Sequence, residues 1–286
     1  MIPFNFIRPK TLGEVLDFLA EKGEKAKIVA GGTDLLVELR GIPVGEKGPE
    51  WVVDISGLPE LKGIREEGEI ITVGSGVTHR EVHTSDLIRE GAPLLAAASA
   101  TVGAAQHRNI ATIGGNIMNA SPAADTVPAL IALEAEAVLK SREGERAGKL
   151  SEIFVKPYQT DASPGEILTA VRFRRLPAGA KSAFVKLGRR NALAISRMNV
   201  AVVLFLEDGT VREARIAPGS ATPMPERFAE AEAVLLGRKP SEEILRSAGA
   251  AVAAEMVERS GRRWSTPYKE PVIAALTARA LREALA

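Results

Sequence analysis

The chain has 286 residues, no cysteine, and 37 basic against 36 acidic side chains, for a net charge of +1. Disulfides, cysteine-ligated zinc or iron–sulfur centres and a cysteinyl-flavin bond are therefore excluded within it. The balanced charge gives no electrostatic footing for nucleic acid or a membrane surface, and the length accommodates two or three domains.

The start, MIPFNFIRPKTLGE, lacks the basic-then-apolar plan of a secretory leader, so a cytoplasmic protein is expected. Thr11 and Glu14 have the spacing of a capping box, after which Leu12, Val15, Leu16 and Leu19 share one helical face as far as Gly23. Residues 27–30 read as a short buried strand, 34–40 as a helical turn or short helix, and 51–55 as a second strand. These form a first α/β unit over residues 1–56. A second unit is expected over 57–176. It holds a strand at 70–73, a second capping box at Thr78 and Glu81, an alanine-rich helix at 93–102, and a helix after Asp125 carrying Leu130 and Leu133. Strands at 135–140 and 166–173 complete it, with 141–149 as an exposed loop. The third unit, 177–286, opens with strands at 198–206 and 211–217 around Glu207-Asp208-Gly209, a hairpin signal. Helices follow at 225–236, 242–256 and 268–285. The longest apolar run, NVAVVLFL at 199–206, is far short of a membrane span.

Two glycine-pair turns carry most of the chemistry: VAGGTDLL at 29–36 and ATIGGNIMNASPAAD at 111–125. Each offers backbone N–H groups with little side chain in the way, as a pyrophosphate cradle requires. Thr33 and Thr112 have hydroxyls for phosphate oxygens, Asn116 an amide, and Asp125 a carboxylate able to accept from ribose hydroxyls. Ordinary turn and capping duties stand beside these roles, and for Asp125 helix capping is an equal alternative. The nearest dinucleotide fingerprint, Gly74-Ser75-Gly76-Val77-Thr78-His79, lacks its third glycine, and there is no phosphate-loop lysine motif. His79 and His83 lie four apart in THREVH but have no third ligand, so a solvated helix face is expected, and His107 reads as a surface residue. No Ser/His/Asp set or marked carboxylate pair is present. No catalytic side chain and no metal site are expected, which fits a protein whose cofactor carries the reaction.

The segment IRPKTLGEVLDFLAEKGEKAKIVAGGTDLLVELR resembles the amino-terminal signature of the FAD-binding medium subunits of molybdenum hydroxylases, the carbon monoxide and xanthine dehydrogenase type. QHRNIATIGGNIMNASPAADTVPALIALEAEAVL resembles that family's second flavin stretch. KPYQTDASPGEILTAVRF, FVKLGRRNALAISRMNVAVVL and RIAPGSATPMPERFAEAEAVLLG follow in the family's order, so the resemblance spans nearly the whole chain. The chain departs from the pattern at Ile110 and Ala111, beside the second turn.

The resemblance implies an α+β protein, with a vanillyl-alcohol-oxidase-type (PCMH-type) FAD-binding domain of two α/β subdomains and an α+β carboxy-terminal domain. It implies non-covalent FAD held by Val29, Ala30, Gly31, Gly32, Thr33, Asp34, Leu35, Thr112, Gly114, Gly115, Asn116, Ser121 and Asp125, with Leu168 and Lys186 in two further flavin-proximal segments, where a strand-core leucine and a surface lysine are the alternative readings. The role implied is electron relay. Electrons pass from iron–sulfur clusters of a small subunit, fed by a molybdopterin-binding large subunit, through FAD to NAD, oxygen or a quinone. A stand-alone flavoenzyme on the same fold and a non-catalytic scaffold subunit are the alternatives.

Overall fold

A computed structural model describes residues 2–43 and 45–286. The first unit opens with β1 (Asn5–Ile7), α1 (Leu12–Lys22), β2 (Ala26–Val29), α2 (Leu35–Gly41) and β3 (Trp51–Asp54). Its strands form a parallel sheet of order β1-β3-β2. Val15, Leu16 and Leu19 of α1 are buried against Val53, Ile55 and Leu58. Thr11 caps α1 by accepting the Glu14 N–H. The expected reciprocal half of that box is absent, because the Glu14 carboxylate takes the N–H of Lys10 instead, one residue earlier.

The second unit contains β4 (Ile64–Glu67), β5 (Ile70–Gly74), α3 (His79–Thr84), α4 (Asp86–Gly91), α5 (Pro93–Ala100), α6 (Ala105–Ile110), α7 (Ile113–Met118) and α8 (Thr126–Ala132). After these come β6 (Glu136–Lys140), β7 (Glu145–Lys149), β8 (Phe154–Lys156), β9 (Gln159–Thr160) and β10 (Ile167–Arg174). A five-stranded antiparallel sheet runs β4-β5-β10-β6-β7, with β10 at its centre. The Thr78 capping box forms in full at α3. The expected loop at 141–149 is corrected: its second half is β7, paired with β6 at the sheet edge. Its mostly exposed, charged side chains carry no hydrophobic alternation, so pattern reasoning passes over it.

The third unit has an antiparallel sheet of β11 (Lys181–Leu187), β12 (Met198–Glu207) and β13 (Thr210–Gly219), then α9 (Ala229–Leu235), α10 (Glu242–Ser260) and α11 (Thr266–Leu285). Asp208 and Gly209 both have positive φ, 51° and 74°, as the tight β12–β13 turn requires. β12 is buried on both faces. Ala201 and Val203 point into the core of the second unit, while Met198, Val200, Val202 and Leu204 join the core formed with α9–α11. Among the described residues no helix is long and apolar enough to cross a membrane.

Candidate functional site

A cavity of about 450 Å³ lies where the first two units meet. One wall is the carboxyl end of β2 and the turn into α2. Gly31 packs so closely on the backbone of Ile110 and Ala111 that a Cβ would fall on the Ile110 carbonyl. Gly32 takes a left-handed φ of +71°. The N–H groups of Gly31, Gly32, Thr33, Asp34 and Leu35 have no acceptor among the described residues. Successive unpaired amides at a glycine turn are the arrangement that holds an anion.

The opposite wall is the second glycine motif, which forms a helix start rather than a free turn. Thr112 caps α7, its Oγ1 accepting the Gly115 N–H at 3.0 Å. The Ile113 and Gly114 N–H groups donate to the carbonyls of Val77 and Ser75, both at 2.9 Å, and the Asn116 N–H donates to Thr112 O. The amides expected to be free around Gly115 are thus engaged within the protein. Gly114 is required for another reason: a Cβ there would lie 2.5 Å from that of Ser75. Available to a ligand are the Thr112 hydroxyl proton and the Asn116 NH₂, whose partner oxygen receives the Thr126 hydroxyl at 2.6 Å.

Residues 158–168 close the cavity, with Tyr158 held at φ 63° by donating its N–H to Ala120 O. Leu168 lines it beside a register shift in β10 between Leu168 and Ala170. Glu166, also on the wall, is held below the usual carboxylate range chiefly by hydrogen bonds from Arg146, which also pairs with Asp161.

Twelve of the residues expected at the site therefore face one cavity: 29–35, Thr112, Gly114, Gly115, Asn116 and Leu168. Ser121, Asp125 and Lys186 do not line it. Asp125 stands at the start of α8 without capping it through its side chain. Its carboxylate accepts from Lys186 Nζ and Ser196 Oγ, each at 2.6 Å, and from Asn199 Nδ2 at 3.4 Å. Lys186 also donates to Thr101 O. The pair is almost sealed, with 11% and 8% of the Lys186 and Asp125 side chains exposed. Burial pushes the Asp125 carboxyl up, against the ammonium and the hydroxyl donor beside it.

His79 is a correction. It is 1% exposed and lines the cavity, where a solvated face was expected. Burial, with Arg108 nearby, lowers its pKa to about 4, so it is neutral near pH 7. Ser75 lines the cavity too. The signal for both lay in the Gly74–Gly76 spacing, which marks close backbone approach: Gly74 abuts the Leu61 carbonyl. His83 is half-buried against Ala96 O, and His107 is exposed as expected. Among the described residues no group of three or more His, Asp or Glu is placed to hold a metal.

Residues 2–176 match the family described as FAD binding domain in molybdopterin dehydrogenase, and residues 182–284 match the CO dehydrogenase flavoprotein C-terminal domain. The chain is 30% identical to the glyceraldehyde dehydrogenase medium chain of Sulfolobus acidocaldarius, covering 98% of each. It is 30% identical to the xanthine dehydrogenase FAD-binding subunit of Escherichia coli O157:H7, over 99% of this chain and 96% of that one. Carbon monoxide dehydrogenase from Hydrogenophaga pseudoflava, solved without the Mo-pyranopterin moiety of its cofactor, superimposes with a TM-score of 0.92. The identity there is 32%, over 100% of this chain and 99% of that one.

Proposed function

Because the chain belongs to the FAD-binding medium subunits of molybdenum hydroxylases, we propose that it carries FAD as the electron-transfer subunit of such a complex. In this reading iron–sulfur clusters on a small subunit deliver electrons, a molybdopterin-binding large subunit oxidises the substrate, and NAD, oxygen or a quinone takes the electrons away. The three units 1–56, 57–176 and 177–286 would be two flavin-clasping subdomains and a carboxy-terminal domain.

The observation that carries the reading is the row of five unpaired N–H groups from Gly31 to Leu35, facing the Thr112–Asn116 wall across one cavity. A pyrophosphate offers acceptors only, which suits that row. Thr112 Oγ1 and Asn116 Nδ2 supply further donors on the other wall. Bound FAD would supply one- and two-electron redox chemistry at this site. The chain's own part is to bind it, orient it and shield it with the apolar wall of Val29, Ile55, Met118 and Leu168. Relatives at 30–32% identity are named for glyceraldehyde, xanthine and carbon monoxide, so the substrate is assigned to the large subunit.

The test is the visible absorption spectrum of the full chain after incubation with FAD and removal of free ligand, alone and co-expressed with iron–sulfur and molybdopterin-binding subunits of a molybdenum hydroxylase. A retained flavin spectrum together with a co-purifying iron–sulfur protein supports the reading. A chain that holds no flavin in either state overturns it.

A further inference from the structure

Five buried side-chain atoms have no hydrogen-bond partner among the described residues: Ser75 Oγ, His79 Nδ1, Ser99 Oγ, Ser182 Oγ and Asn199 Oδ1. Only Ser75 and His79 line the flavin cavity. Both are buried, at 4% and 1% exposure. Leaving such groups unpaired costs about 1–3 kcal/mol each, so a native protein retains them where something else completes the bond.

Their positions are fixed by backbone. Gly114 N–H donates to Ser75 O, Ile113 N–H to Val77 O, and His79 N–H to Ala111 O, zipping residues 75–79 against the second glycine motif. Ser75 N–H in turn donates to Thr169 O, next to Leu168. The two side chains therefore stand on the same rigid seam as Thr112 and Gly114, which are already assigned to the flavin site.

We propose that His79 and Ser75 are further residues of the dinucleotide site, hydrogen-bonding bound FAD through the imidazole and the hydroxyl. This rests on the flavin reading above. A neutral imidazole has one donor and one acceptor nitrogen, and a serine hydroxyl has both capacities. Their chemistry complements sugar hydroxyls and the amide edge of the flavin ring, leaving the phosphates to the 31–35 amides.

The experiment titrates FAD into the full-length chain, following flavin fluorescence, and measures thermal melting with and without FAD. The variants are His79→Phe, His79→Gln and Ser75→Ala. In His79→Phe, Kd for FAD is expected to rise about tenfold, and in Ser75→Ala about threefold. His79→Gln, which keeps a donor and an acceptor, recovers part of the loss. The ligand-free His79→Phe protein melts no lower than wild type, because an unpaired buried polar group has been removed, while its FAD-induced rise in Tm shrinks. Wild-type Kd in both His79→Phe and Ser75→Ala overturns the inference and leaves the flavin reading standing. Equal destabilisation of the ligand-free and FAD-bound forms, with unchanged Kd, also overturns it. Wild-type protein that binds no FAD, either alone or co-expressed with iron–sulfur and molybdopterin-binding subunits, overturns the flavin reading itself.

Discussion

At the scale of single residues, Gly31 is where the two glycine motifs touch. A Cβ there would fall on the Ile110 carbonyl, and that strand of backbone cannot retreat because Ala111 O holds the His79 N–H. Gly31→Ala is expected to cost about 2 kcal/mol or more in stability and to abolish flavin retention. Gly41→Ala, with open space around it, serves as the control in the same melting and absorption measurements. His79 makes a second prediction. Its folded pKa of about 4 lies below the ordinary 6.5, so the unfolded chain binds more protons between those values. His79 carries no protonation penalty above pH 6.5, and stability falls by about 3 kcal/mol as pH drops toward 4. Denaturant unfolding from pH 7 to 4 will show that acid limb in wild type and a flatter one in His79→Phe. The glycines were legible in the sequence because bare backbone has few uses beyond turns and close approach. His79 was not, because the i, i+4 pair with His83 implies nothing about which side of a six-residue helix is covered by its neighbours.

At the scale of elements, the second glycine motif is a helix, α7, built on a Gly-Gly pair that disfavours helix. Tertiary bonds to Ser75 and Val77 override that preference, and no local pattern announces them. The Asp125–Lys186 pair was equally illegible as a pair, since 61 residues separate its members. It fastens the start of α8 to β11, and through Thr101 O to the end of α5. Lys186→Met leaves a buried carboxylate without its cation, at an expected cost of about 3–5 kcal/mol. Adding Asp125→Asn should restore much of it, because the amide can still accept from Ser196. A double-mutant cycle by denaturant unfolding checks the coupling.

At the scale of the molecule, the carboxy-terminal sheet is shared property. Phe184, Ala201, Val203 and Ala217 belong to the core of the second unit, although they lie in the third. The apolar run of β12 was readable as a buried strand, but which side each residue faces follows from packing of the β11–β13 sheet against α5 and α8 on one face and α9–α11 on the other. A chain cut after Leu176 loses one side of its core. Residues 1–176 alone are therefore expected to aggregate or to show no cooperative melt, whereas the full chain melts in one transition by calorimetry. Two well-separated transitions in the full chain would contradict this.

The alternation along β12 also makes it a natural pair of spectroscopic reporters. The methyl groups of Ala201 and Val202 are one peptide unit apart in the chain yet sit in different cores. A perturbation confined to the flavin side moves the Ala201 and Val203 resonances first, one confined to the helical side moves those of Val200 and Val202, and a change that shifts all four has crossed the sheet.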